Sequence, residues 1–69
     1  MVGHVYKVVE IVGSSGDSIE DAVRSGVARA AQTLDNLDWF EVVETRGHIE
    51  NGKLGHFQVV MKLGFQLRE

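Results

Sequence analysis

Cysteine is absent from all 69 residues of the chain. This excludes disulfide bonds and metal sites built on thiolates, and it favours a reducing compartment. A domain of this length buries only about 60% of its unfolded surface, so its core is small. Small domains that lack disulfides and metals are usually stabilised by association. We therefore expect one domain, residues 1–69, that forms an oligomer.

Long apolar runs are also absent. No segment approaches the roughly 20 apolar residues that a membrane span requires. Residues 1–7 lack the apolar core of a secretory signal peptide. We therefore expect a cytoplasmic protein with no membrane partner. The net charge of −3 argues against a general nucleic-acid binder, which would normally be basic.

Signals of catalysis and metal binding are missing as well. The three histidines are scattered without the spacing of metal ligands. Residues 13–16, which precede a predicted helix, are rich in glycine and serine but lack the Lys-Ser/Thr ending of a P-loop. No nucleophile, base and orienting group form a recognisable set. The sequence therefore predicts a protein that is not an enzyme and holds no metal.

The first half of the chain predicts a strand, a turn and a helix. Residues 5–12 are rich in β-branched side chains and indicate a strand. Residues 13–17 have the composition of a turn. Ser18 is a suitable N-cap, with Asp21 three residues later, and Asn36 is a suitable left-handed residue after a helix that ends near residues 34–36. The helical period of apolar residues is kept by Ile19, Ala22, Val23, Gly26, Val27, Ala30, Ala31 and Leu34.

The second half of the chain predicts a long hairpin. Residues 39–49 and 54–67 indicate two strands, and Asn51-Gly52 between them is the pair that a type I′ turn prefers. A turn centred on this pair places Phe40 opposite Leu63, Val42 opposite Met61, and Glu41 opposite Lys62 as a favourable charge pair. Strict alternation then puts Trp39, Thr45, Gln58 and Val60 on one face, the outer one, and Arg46 on the opposite face.

The predicted order of elements is β-α-β-β, which defines an α+β fold. A three-stranded antiparallel sheet would curl over one helix in two layers. One helix cannot cover both faces of the sheet. The outer face is therefore expected to remain available to neighbours.

Trp39, the only tryptophan, is the most informative residue of that face. It points away from the predicted core, and a large outward aromatic in so small a chain requires another subunit or a flat ligand. Tryptophan is enriched at interfaces generally, so an interface without ligand stays open. Gln58, on the same predicted face, is either an ordinary exposed residue or an amide that both donates to and accepts from a ligand. Asp38 is either a residue at the strand entrance or part of the same site.

Arg46 is open to several interpretations. Its guanidinium can be a surface charge or the partner of Glu44. It can also cover an aromatic ring or bind a phosphate. Its predicted position is on the other face of the sheet from Trp39. Contact with a ligand that also touches Trp39 therefore requires a bulge, a twist or another subunit.

The residues together resemble the dodecin family. The similar segments are Tyr6–Gly13, Ala28-Arg29-Ala30, Asp38–Val42, Arg46-Gly47, Phe57–Val60 and Gly64-Phe65. Each motif is short, but their order and spacing span nearly the whole chain.

The resemblance implies a hollow dodecamer that binds flavins in pairs, stacked between symmetry-related tryptophans. Trp39 would be the stacking residue, and Gln58 would hydrogen-bond the ring edge. Arg46 and Asp38 would lie near the flavin. The implied role is flavin storage or sequestration and photoprotection. The flavin would be FMN or riboflavin, with lumichrome or FAD as other candidates.

Some family members also bind coenzyme A. Residues near the end of the helix would be candidates for that ligand, namely Arg29, Gln32 and Thr33.

Two other functions stay open for the chain as a whole. One is a flavin-dependent oxidoreductase, although stacking on both ring faces would block a substrate. The other is a purely structural or interaction oligomer, which would be colourless.

Overall fold

A computed structural model of the chain, which describes residues 3–68, contains three strands and one helix. In chain order these are β1 (Tyr6–Ser15), α1 (Ile19–Ala30), β2 (Leu37–Glu50) and β3 (Lys53–Gln66). The strand order in the sheet is β1-β3-β2, and both pairings are antiparallel. The predicted β-α-β-β α+β fold is confirmed. We call the side of the sheet that carries α1 the helix face and the other side the outer face.

The helix begins as the sequence predicts and ends earlier. The Ser18 hydroxyl accepts a hydrogen bond from the backbone N–H of Asp21 at 3.0 Å, which caps the first turn. Regular helix ends at Ala30, and the chain continues through a tighter turn that is hydrogen-bonded as far as Leu34. Asn36 has a φ of 62°, as expected of the left-handed residue that redirects the chain.

The first strand is longer than predicted. Residues 13–15 belong to β1, so the expectation of a turn over residues 13–17 is wrong for these three. Ser15 is buried, and its hydroxyl donates to Asp21 Oδ2 at 2.8 Å while it accepts from the backbone N–H of Asp17 at 2.9 Å. The turn is therefore displaced towards the helix and is held by hydrogen bonds to the Ser15 hydroxyl.

The core lies between α1 and the helix face of the sheet, and it is small. Val59, Met61 and Leu63 alternate along β3 and are fully buried. They pack against the buried small residues Ala22 and Ala30 of α1. Many large apolar side chains remain exposed in the single chain, including Phe40 at 53% and Leu54 at 73%. Such exposure is what the composition predicts for a subunit that associates.

The hairpin turn confirms the predicted type, because Asn51 and Gly52 both have positive φ, 53° and 76°. The predicted register is also confirmed near the far end of the hairpin. Its pairs are Phe40 with Leu63, Glu41 with Lys62 and Val42 with Met61.

Irregularities in the pairing of β2 with β3 change the register along the rest of the hairpin. The pairing shifts between Leu37 and Trp39, between Val42 and Glu44, and between Gly47 and Ile49. A β-bulge adds one residue on one strand, so every later side chain changes face.

The second of these shifts overturns two sequence predictions. Thr45 pairs with Val59 and so belongs to the helix face, not to the outer face. Arg46 pairs with Gln58 and belongs to the outer face, where strict alternation did not place it.

Within residues 3–68, no helix has both the length and the apolar character needed to cross a bilayer.

Candidate binding site on the outer face

Trp39 lies across the sheet and covers Gly64. The two residues are paired between β2 and β3, and Gly64 is buried although it belongs to the outer face. A Cβ atom added to Gly64 would meet Trp39 Cε2 at 2.1 Å, Cζ2 at 2.3 Å and Cδ2 at 2.7 Å. Cδ2 and Cε2 form the bond shared by the two indole rings, so the middle of the indole, rather than its rim, faces the backbone. The side chain is still 40% exposed, as expected if its other face is open.

Tyr6 contacts Trp39 and extends the same aromatic surface towards β1. It stands on β1, with β3 between it and Trp39, and the strand spacing of about 4.8 Å places the two backbones roughly 10 Å apart. Their ring centroids are nevertheless only 6.3 Å apart, with the planes tilted by 57°. The two side chains therefore lean towards each other above β3. A tilted pair at this distance is a favourable aromatic contact.

Asp38 contacts the same cluster through its side chain. A hydrogen bond from the Tyr6 hydroxyl to the Asp38 carboxylate raises the pKa of Tyr6 above its ordinary value of 10.0; partial desolvation and the negative charge of Asp38 act in the same direction. Asp38 occupies the position where the register shifts between Leu37 and Trp39. Asp38 therefore lies at the entrance of β2, as one of its two sequence interpretations expects, and its part in a ligand site stays a prediction.

Arg46 and Gln58 form a second polar group on the outer face. Arg46 Nη1 donates to Gln58 Oε1 at 3.3 Å, and Arg46 Nη2 is paired with Glu44 Oε1. The interpretation of Arg46 as the partner of Glu44 is therefore confirmed, whereas its contact with Gln58 was not among the sequence predictions. The bulge after Val42 brings this about, because it turns Glu44 and Arg46 to the same face as Gln58.

Trp39 and Gln58 do not form one site within a single chain. Trp39 lies opposite Gly64, and Gln58 is six residues away from Gly64 on the same strand. At about 3.3 Å per residue, this separation is roughly 20 Å. A flat ligand on Trp39 therefore does not reach Gln58 of the same chain.

A groove lies between α1 and the edge of β1. It has a volume of about 470 Å³, and its wall includes Arg29, Thr33, Ser14 and Ser25 beside apolar residues. Two of the three sequence-predicted coenzyme A residues, Arg29 and Thr33, therefore share this groove. Gln32 does not line it. The three residues are thus only partly brought together.

Metal-binding clusters are not found in the described part of the chain. Across residues 3–68, no three His, Cys, Asp or Glu residues lie close enough to hold an ion. Two carboxylates of the outer face lie near basic residues. Glu41 lies opposite Lys62, and Glu44 is paired with Arg46.

Sequence reasoning did not identify Tyr6 and Gly64 as parts of the Trp39 surface. Gly64 carries a signal that was available, because a glycine in a strand interior often marks close approach by another group. The bulge after Val42 also left a trace. Strict alternation would place Glu44 and Arg46 on the same face as Phe40 and Val42, and two charges on an apolar face indicate a shift of register.

The fold and this surface define a small β-α-β-β protein with an exposed aromatic platform and most of one sheet face uncovered. A family model described as Dodecin matches residues 5–68. The chain therefore belongs to the dodecin family.

Relatives in that family cover almost the full length of the chain. The chain is 48% identical to dodecin from Thermus thermophilus over 68 residues, which is 99% of each sequence. The solved structure of dodecin from Streptomyces coelicolor matches with a TM-score of 0.92 and 55% identity, and the alignment covers 100% of this chain and 99% of that one. A structure of calcium dodecin from Mycobacterium tuberculosis, described with a novel calcium-binding site, matches less closely. Its TM-score is 0.79 and its identity 31%, with coverage of 93% and 91%.

Proposed function

We propose that this protein binds flavin, as riboflavin or FMN, by stacking the isoalloxazine ring on the open face of Trp39. The observation that carries the proposal is the indole lying over Gly64, with one face packed and the side chain 40% exposed. An aromatic surface held parallel to a sheet suits a planar ligand. Stacking of aromatic pairs contributes roughly 0.5–1.5 kcal/mol beyond the buried area. Dodecins as a family support a role in binding and storage.

The complete flavin site would require more than one copy of the chain. Trp39 offers one ring face, and Gln58 of the same chain is about 20 Å away along β3. A ligand that contacts both residue types must therefore receive them from different copies. We propose that the assembly is a homododecamer, in which paired flavins lie between two Trp39 side chains. The exposed apolar residues of β2, such as Phe40 and Val42, supply surface for such an assembly.

Storage and photoprotection follow from the same stacking. An excited flavin accepts an electron from the touching indole, and return of that electron restores both ground states with no net reaction. The bound flavin is then dark and produces no reactive products. With indole on one ring face and a second flavin on the other, a substrate has no access to the ring. We therefore favour storage and photoprotection over a flavin-dependent oxidoreductase.

A fluorescence titration of riboflavin into ligand-free protein tests this proposal. Wild type should bind and quench the flavin. Trp39→Ala should lower the affinity by about tenfold, which corresponds to 1.4 kcal/mol, and any flavin still bound should be brighter. The size of the assembly, measured in parallel, should not change.

Two outcomes would contradict the flavin proposal. Equal affinity and equal quenching in Trp39→Ala would mean that Trp39 is not the stacking residue. A wild-type protein that binds no flavin would favour the purely structural oligomer instead.

Coenzyme A is the second ligand that we propose, in the groove between α1 and β1. Arg29 and the hydroxyl residues Ser14, Ser25 and Thr33 on its wall suit a phosphate, and its apolar wall suits the rest of a long ligand. Arg29→Ala should weaken coenzyme A binding in a calorimetric titration. Gln32→Ala should not, because Gln32 lies outside the groove. Equal loss in both variants would exclude the groove as the site.

A further inference from the structure

We infer that Gly64 is a positioning residue that sets the height and tilt of the Trp39 indole, and so the shape of the flavin platform. The ligand-related part of this inference rests on the proposed function. The contact between the two residues is independent of it.

The geometry leaves no room for any side chain at this position. An added Cβ would lie 2.1 to 2.7 Å from three indole carbons, whereas carbon atoms in contact are about 3.5–4.0 Å apart. The obstruction would stand under the middle of the indole. The ring would have to rise by about 1 Å or more or rotate away from the sheet. Gly64 has no positive φ, so its backbone conformation does not itself require glycine. The three heavy atoms nearest to the added Cβ all belong to the indole.

The surrounding residues hold the indole against the outer face of the sheet. The Tyr6 ring stands at 6.3 Å from the indole on the β1 side. The backbone at Gly64 therefore lies beneath the indole, and the Tyr6 ring lies beside it. Both contacts orient the ring with its free face outward. A raised or tilted ring would lose parallel contact with a planar ligand, because stacking depends on ring geometry.

The test uses Gly64→Ala alone and combined with Trp39→Ala, with Gly16→Ala as the matched control. A Cβ on Gly16 would meet only His56, at an ordinary 4.0 Å, and Gly16 has no positive φ. Gly64→Ala should weaken riboflavin binding by about three- to tenfold, the equivalent of one aromatic stacking contact, and the bound flavin should be brighter. In the Trp39→Ala background the same substitution should change the remaining affinity by less than about twofold, because contacting residues couple non-additively.

A readout that needs no flavin separates this inference from the proposed function. The near-ultraviolet circular dichroism of the only tryptophan should change in Gly64→Ala and not in Gly16→Ala. If Gly64→Ala fails to fold, the double variant, which lacks the obstructing indole, should fold again. An unchanged tryptophan spectrum with wild-type quenching would overturn the inference. So would equal effects of Gly64→Ala with and without Trp39. A wild type that binds no flavin, but shows the spectral change and the rescue, would contradict the flavin proposal and leave the contact standing.

Discussion

Two glycines on opposite faces of the sheet, Gly13 and Gly64, meet different kinds of neighbour. A Cβ on Gly13 would lie 2.2 Å from the carbonyl oxygen of Ala22, in the backbone of α1. A Cβ on Gly64 would lie 2.1 Å from an atom of the Trp39 side chain. The distances are nearly equal, but a packed helix backbone cannot move aside and an exposed side chain can. The glycine on the helix face therefore serves the fold, and the one on the outer face serves the ligand platform.

This contrast extends to the two faces as a whole. The helix face contains the fully buried residues of β3, in contact with small residues of α1. The outer face contains the Glu44–Arg46 ion pair, the Arg46–Gln58 hydrogen bond and the partly exposed Trp39. Substitutions on the first face should change the free energy of unfolding, and those on the second should change binding.

The largest effect is expected from Gly13→Ala. The added methyl group would press on the Ala22 carbonyl and on the Met61 side chain at 3.1 Å. Overpacking of a close-packed core costs about 1–3 kcal/mol, and a backbone obstacle places this variant at the upper end. Urea unfolding measures the loss, with Gly16→Ala as the control. A loss of stability no larger than that of Gly64→Ala would contradict the different roles assigned to the two glycines.

A smaller effect, confined to binding, is expected from Gln58→Ala. Loss of one hydrogen bond to the flavin edge costs about 1 kcal/mol, or roughly fivefold in affinity. Quenching of the flavin that still binds should stay as in wild type, because Gln58 does not touch the ring face. Thr45→Ala, on the helix face of the same hairpin, is the matched control and should bind as wild type does. Brighter residual flavin in Gln58→Ala would contradict the division of roles between Gln58 and Trp39.

The smallest effect concerns the titration of Tyr6, the only tyrosine. The hydrogen bond to Asp38 raises the pKa of Tyr6, so the folded state favours the neutral phenol. Its contribution to stability is therefore present below the unfolded pKa of about 10 and is lost as the pH rises through the folded pKa. Tyrosinate absorbance should appear at a higher pH than in the unfolded chain. Asp38→Asn should lower the pKa of Tyr6, and an unchanged titration would exclude this contact beside Trp39.

Much of the fold follows from short-range sequence signals. Ser18 and Asp21 mark the helix start, Asn51-Gly52 fixes the hairpin turn, and alternation around Phe40 gives the correct local register. These signals are reliable because each depends on residues close together in the chain. The end of α1 was placed too late because Leu34 keeps the apolar period while the chain already tightens after Ala30.

The candidate site was only partly predictable, because it depends on contacts between distant segments. The outward direction of Trp39 followed from alternation within β2. The position of Arg46 did not, because the bulge after Val42 changes the face of every residue that follows. The contribution of Tyr6 depends on the order β1-β3-β2, which brings its side chain to Trp39 across a third strand.

Native mass spectrometry of the protein mixed with riboflavin can show whether flavin is bound on Trp39 between copies of the chain. We expect a twelve-chain assembly that carries flavin, while any single chains in the same spectrum carry none, because one chain separates Trp39 from Gln58 by about 20 Å. Trp39→Ala should give the same assembly with little or no flavin. Flavin bound to single chains, or a twelve-chain wild-type assembly that takes up no flavin, would contradict the account.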